Sequence, residues 1–254
     1  MFIIYLCIFF LGASIASYIN ATVYRIEKGV KYPEILTKGS ECEKCKKKLA
    51  WYELIPIFGY IFIGGKCPNC KEKVNIFYPL SETFLGISFL LFARSYFFLS
   101  VVPFYSWIIL ILLFILSFYD FLYREVPATL VHILIIISVL IFIFFNLNTI
   151  SLIITGSILL LLFVLTRIIK KSFGFGDVLL LLALGLILPY QGYLVMFWIS
   201  IFSALLYAIV AGIVMKKSMR KVKIPMIPFF TLGFLVATVW GGRIFEYLLA
   251  LLVH

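Results

Sequence analysis

Polar and apolar positions in this chain do not alternate. Apolar residues are gathered into long runs over about 2–24, 80–98, 102–120, 127–146, 149–168, 177–189, 191–214 and 227–251, with polar residues collected between them. A helix needs about 20 predominantly apolar residues to cross a hydrocarbon layer of about 30 Å. The pattern therefore predicts an all-α polytopic membrane protein of about eight transmembrane helices. The sixth run is short and ends at Pro189, so it is expected to tilt, to be half-buried or to merge with its neighbour. The only large polar region lies between the first two runs. The chain divides accordingly into a first helix (1–24), a polar cytoplasmic domain (25–79) and a transmembrane domain (80–254).

Composition agrees with that frame: 64% of the 254 residues are hydrophobic and 13% are charged, far from the balance of a soluble domain. The net charge of +11 could suggest a nucleic-acid partner, but the positions of the cations decide otherwise. They fall in alternate connections, 25–79, 121–126, 169–176 and 215–226, and include Arg25, Lys44, Lys66, Arg124, Lys170, Lys171, Lys216, Lys217, Arg220, Lys221 and Lys223. Opposite connections such as "NLN" and "PYQGY" carry none. The positive-inside rule makes the basic side cytoplasmic and places both termini outside. The lipid bilayer is the partner implied, and no nucleic acid is. The first run lacks the basic stretch that precedes a secretory signal, and its first cation, Arg25, follows it. It is expected to be a retained anchor.

Within the polar region, "CEKC" and "CPNC" place Cys42 with Cys45 and Cys67 with Cys70. Each C-x2-C turn directs two sulfurs to one point, and two such turns supply the tetrahedral thiolate shell that zinc prefers. Neighbouring Lys44, Lys46, Lys47, Lys48, Lys66 and Lys71 favour the thiolates electrostatically. Two disulfides or free thiols are the alternative, which a reducing cytoplasm disfavours. With all four ligands protein-derived, the zinc is structural. Cys7, alone in the first run, reads as a small packed hydrophobe.

Outside this region the acids are few: Glu82, Asp120, Glu125, Asp177 and Glu246. Asp120 ends the third run and Asp177 begins the sixth. Counted through the crossings, both reach the cytoplasmic boundary. Two carboxylates in a partly desolvated site do not both ionise readily, so one can take a proton from water while the other polarises a carbonyl. Gly174 and Gly176, in "GFGD", remove side chains beside Asp177 and admit an extended backbone. The plainer reading of Asp177 is a helix cap. Glu82 reads as a solvated acid near a helix start or as a residue that handles substrate, Asn20 as a hydrogen bonder between helices. Tyr105, Trp107, Tyr190 and Tyr193 read as an interfacial aromatic belt.

Together these stretches resemble the type IV prepilin peptidases, the GxGD class of membrane aspartyl proteases. "GFGD" matches the glycine-x-glycine-aspartate motif, and Asp120 with Pro127 matches the first aspartate segment. "GSECEKC", "LAWYELIPIFGYIFIGGKCPNC" and "YPLSE" resemble the cysteine-rich cytoplasmic domain, "NATVYR" the end of the first helix, and "IPMIPFFTLG" the start of the last. Met226 and Ile227 stand where a Phe-Gly pair is usual, and Ala16 where glycine is common.

The resemblance implies removal of a short basic leader from type IV prepilins or pseudopilins, cut after a glycine at the cytoplasmic face of the bacterial inner membrane. It further implies methylation of the new N-terminus from S-adenosylmethionine. It makes Asp120 and Asp177 the catalytic pair, Gly174, Gly176 and Glu82 substrate-binding, and Cys42, Cys45, Cys67 and Cys70 the zinc ligands. The chain's many lysines would repel a basic leader, a repulsion that acids such as Glu125, or membrane lipids, would offset. The other readings are a peptidase without methyl transfer, and a transporter or scaffold with a structural zinc domain.

Overall fold

The computed structural model describes residues 2–95, 104–124, 126–145, 149–168, 174–214 and 224–253. Glu125 and the basic residues Lys170, Lys171, Lys216, Lys217, Arg220, Lys221 and Lys223 lie outside them. The named elements are helical throughout: α1 (Phe2–Glu27), α2 (Glu34–Thr37), a 3-10 turn (Trp51–Leu54), α3 (Phe58–Phe62), α4 (Phe77–Arg94), α5 (Tyr105–Tyr123), α6 (Ala128–Phe145), α7 (Thr149–Ile168), α8 (Phe175–Ile187), α9 (Tyr190–Val214) and α10 (Ile227–Val253). All eight apolar runs are helices. Five of them, α1, α5, α6, α9 and α10, are long and apolar enough to cross a membrane. In α4 the polar Glu82 and Arg94 dilute the run, and α7 and α8 offer shorter apolar stretches, Thr149–Leu161 and Phe175–Ile187.

The chain forms two compact units, Met1–Leu99 and Ser100–His254. In the first, α4 packs along α1. Small residues make this close: a Cβ on Gly12 would sit 2.8 Å from the Leu85 carbonyl oxygen, and one on Gly86 2.8 Å from the Phe9 ring. Ala13 and Ala16 complete the buried stripe of α1, the small-residue packing that membrane helices favour. Asn20 donates to Ser81 Oγ at 2.9 Å across the pair, the interhelical bond expected of it. Cys7, expected to be packed, lies on the outward surface of α1 instead.

In the second unit, α10 packs against α9 and α5, and α8 against α6 and α7. One face of α5 is bolted to the start of α10. Ser117 Oγ and Thr231 Oγ1 are 2.6 Å apart, and Thr231 Oγ1 also lies 3.3 Å from the Leu113 carbonyl. Ser117 and Asp120 are three residues apart, so both fall on this face. Tyr193 departs from the expected belt: its side chain is wholly buried in this unit, because α9 turns its 192, 193, 195 and 196 positions inward.

Candidate functional site

In the second unit, Asp120 occupies the last turn of α5 and is half-buried. The helix stops four residues later, where Arg124 takes a left-handed φ of 58° and its N–H donates to the Asp120 carbonyl at 3.2 Å. The carboxylate accepts the Ile227 N–H at 3.0 Å and a second backbone N–H from Met226. The donors stand at the start of α10, Met226 just before it and Ile227 as its first residue, where N–H groups have no partner within the helix. The Met226–Ile227 pair, which replaces the usual Phe-Gly, therefore acts on the aspartate through its backbone. Hydropathy carries no sign of this contact. Pro225 and Pro228, which suit a helix start, do mark where such donors would lie.

Asp177 is the third residue of α8 and is half-buried. Its Oδ2 accepts the Gly174 N–H at 3.1 Å, and its own N–H donates to the Gly174 carbonyl at 3.1 Å. The capping geometry is thus present, yet it does not exhaust the residue: Asp120 is close enough for the two carboxylate charges to act on one another. Gly174, just before α8, and Gly176, in its first turn, leave room beside Asp177. Among the described residues, nothing outside the helix's own backbone and chain neighbours stands within 4 Å of a Cβ built on Gly176, and one on Gly174 would meet only Asp177 itself, at 3.3 Å. Each half-buried carboxylate is thus held by backbone donors, within range of the other's charge. Such a pair can share a proton and activate a water.

The first unit holds the four cysteines. Their sulfurs all lie within 4.8 Å of one another, with Cys42 and Cys70 at 3.8 Å and Cys45 and Cys67 at 3.8 Å. Sulfurs at 2.3 Å from one tetrahedral zinc would be about 3.8 Å apart, so the donor set fits that ion. Each knuckle is a tight turn closed by matching backbone bonds: Cys42 N–H to the Lys47 carbonyl at 2.9 Å, and Cys67 N–H to the Glu72 carbonyl at 2.8 Å. Lys46 and Lys71 take positive φ in the same place in each.

Hydrogen bonds tune the thiols. The Asn69 side chain, then the Lys47 N–H, push Cys45 down to about 6, and the Cys70 and Asn69 N–H groups lower Cys67. At Cys70 the Glu72 N–H pulls downward, but lost hydration and the other sulfurs outweigh it and push the thiol up to about 11. Four sulfurs this close cannot all be thiolates without a cation among them. The sequence pointed to the lysines as the source of thiolate character. Lys44 does act favourably on the Cys42 and Cys70 sulfurs, and Asn69 with the turn N–H groups adds the hydrogen bonds that lower Cys45 and Cys67.

Glu82 is buried rather than solvated. It hydrogen-bonds Ser17 of α1, and its Oε2 accepts the Ile57 N–H at 2.7 Å. Alongside it opens a cleft of about 990 Å³ within the first unit, lined by Asn20, Arg25, Glu53, Tyr78 and Glu82 among others. Arg25 is fixed there by a 2.8 Å bond to the Ile35 carbonyl.

Residues 10–96 match the family described as Bacterial Peptidase A24 N-terminal domain, and residues 107–209 match the Type IV leader peptidase family. Among curated relatives named prepilin leader peptidase/N-methyltransferase, the Vibrio cholerae protein is 31% identical over 119 residues, 44% of this chain and 46% of the relative. The Neisseria gonorrhoeae protein is 30% identical over 107 residues, 34% and 37% of the two chains. The aligned stretches thus span less than half the length of these relatives. With the Bacillus subtilis protein the match is 25% identical over 226 residues, 84% of this chain and 86% of the relative. No solved structure matches.

Proposed function

Because this chain belongs to the type IV leader peptidase family, we propose that it is a membrane aspartyl endopeptidase that removes the leader of type IV prepilins or pseudopilins. The observation that supports the reading is that Asp120 of α5 and Asp177 of α8 lie within charge–charge range of one another in the matched region. One carboxylate takes a proton from water, and the hydroxide adds to the scissile carbonyl carbon. The other, protonated, donates a hydrogen bond to the carbonyl oxygen and then delivers a proton to the departing amine. Gly174 and Gly176 leave the space an extended substrate backbone needs. A glycine at the cut site suits such a site, since it weakens the substrate helix by about 1 kcal/mol relative to alanine.

The eight apolar helices serve as eight crossings of the bacterial inner membrane, α4, α7 and α8 included, with both termini outside and the four-cysteine region inside. Residues 1–24 anchor the chain, 25–79 form the zinc-binding region and 80–254 carry the aspartates. Zinc held by Cys42, Cys45, Cys67 and Cys70 would supply a cross-link between the two knuckles. The relatives' name supports a second activity, methylation of the new N-terminus from S-adenosylmethionine. The amine attacks the methyl carbon, the carbon–sulfur bond breaks, and the amine's proton leaves to solvent. Glu82 and the cleft beside it are the region for substrate handling.

The test is incubation of the purified protein with a prepilin and S-adenosylmethionine, beside Asp120→Asn and Asp177→Asn, with the product N-terminus read by mass spectrometry. Cleavage after glycine, abolished by either substitution, is the expected result, with a methyl on the new terminus adding the transferase. A cleaved but unmethylated product would leave a peptidase alone. Cleavage that survives either change would remove the carboxylate pair, and none by the folded wild type would favour a transporter or scaffold.

A further inference from the structure

The stretch between the two cysteine knuckles, "WYELIPIFGYIFIGG", is apolar enough to be out of place in a cytoplasmic zinc domain. Its short helix α3 has two faces. Gly59, Tyr60 and Ile63 turn toward the unit, while Phe58, Ile61 and Phe62 are 42%, 60% and 62% exposed. The i, i+3, i+4 spacing puts these three on one side.

The position of α3 along α1 decides what meets that side. The Phe58 ring stacks on Phe10 of α1 with centroids 6.0 Å apart. Arg25 is the first cation of α1 and lies fifteen residues beyond Phe10, about 22 Å along the axis at about 1.5 Å per residue. A hydrocarbon layer is about 30 Å thick, so the level of Phe10 lies well inside it. The tip of the "cytoplasmic" loop therefore stands beside the membrane-spanning part of α1.

Backbone at such depth must be satisfied internally. From Ile57 to Lys66 most N–H groups are paired. Gly59 donates to Ile55 O, Ile61 to Ile57 O, Ile63 to Gly59 O, Gly64 to Ile61 O, Gly65 to Tyr60 O and Lys66 to Ile63 O. Phe58 donates to Pro56 O at 2.7 Å, closing a γ-turn about Ile57, whose φ of 67° a β-branched residue rarely adopts. The Ile57 N–H, turned away from the helix, is taken by Glu82. Gly59 makes the reversal possible: a Cβ there would lie 2.2 Å from the Glu53 carbonyl oxygen. Outside the tip, exposed Trp51 and Tyr52 and the exposed Lys48, Lys66, Lys71 and Lys73 flank it. Aromatic residues and lysines around an apolar tip are the arrangement of a segment seated in an anionic leaflet.

We propose that residues 54–63 form a re-entrant element that enters from the cytoplasmic side and embeds its Phe58, Ile61 and Phe62 face in the acyl chains of the bilayer, so that the zinc region is anchored in the membrane as well as tethered to it. The occupant is lipid because the face continues the lipid-exposed surface of α1, and because the flanking charge complements anionic headgroups. This inference uses only the first unit and stands apart from the peptidase reading.

The experiment uses the full-length, zinc-loaded protein in vesicles of phosphatidylethanolamine and phosphatidylglycerol doped with a phospholipid bearing a diazirine on its acyl chain. Adducts are mapped by peptide mass spectrometry after illumination, and a parallel sample is exposed to aqueous hydroxyl radicals. Expected are acyl adducts on Phe58, Ile61 and Phe62, as on the exposed face of α9, with loss of radical oxidation there but not at Tyr32. Adducts on α9 with none on 58–62, together with oxidation of Phe58 and Phe62, would overturn the proposal. Protection from both reagents would overturn it too, since the face would then be covered by protein.

Discussion

Glu82 offers the sharpest test of how the first unit is built. Its carboxylate accepts the Ile57 N–H at 2.7 Å while Ile57 holds a γ-turn at φ 67°, a conformation that costs about 1–3 kcal/mol and persists only when its surroundings enforce it. Glu82→Leu fills similar volume but leaves a partly buried N–H unpaired, a loss of about 1–3 kcal/mol. Glu82→Gln keeps an acceptor within reach and forfeits only the charge-assisted part of the bond, about 1 kcal/mol. The order of stability is therefore wild type, then Gln, then Leu. It is measured by unfolding in mixed micelles, with amide exchange at Phe58 and Gly59 as the local readout. If Leu is no more destabilising than Gln and exchange at Phe58 is unchanged, Glu82 does not hold the turn. A loss of activity in both variants at full stability would then assign it to substrate alone.

Further outcomes follow from the same contacts. Asn69→Ala removes the donor that lowers the Cys45 thiol most, and should weaken zinc retention about 10–100-fold in competition with a chromophoric chelator; unchanged affinity would mean that the turn N–H groups suffice. Cys67→Ser, at the most buried of the four sulfurs, should abolish zinc in elemental analysis and expose 42–73 to protease, while an intact loop would remove the metal from the fold's support. Thr231→Val breaks the bond to Ser117 that fixes α10 over Asp120. It should cost about 1 kcal/mol and lower kcat with little change in KM, whereas a KM effect alone would argue against a positioning role. Gly86→Val should force α4 away from Phe9, with overpacking of about 1–3 kcal/mol, read as lost stability in micelles.

Much of this protein is set by composition along the chain. Runs of about 20 apolar residues have few alternatives to a helix, so α1 and α4–α10 lie where hydropathy puts them. The paired C-x2-C turns are local as well, which is why four cysteines meet at tetrahedral spacing as read. Interhelical contacts depend on rotation and register, and a single sequence does not contain them. That Asp177 caps its helix and also comes within charge range of Asp120, that the backbone of Met226 and Ile227 grips Asp120, and that Tyr193 is buried rather than interfacial were decided by packing. So were the hydrogen bonds that Asn69 and the turn N–H groups add to the thiols, and the burial of Glu82 beneath a folded-back segment. The physical reason is common to them all: a hydrogen bond is made or lost over tenths of an ångström, and hydropathy and charge pattern fix a residue's place along the chain without fixing what stands next to it.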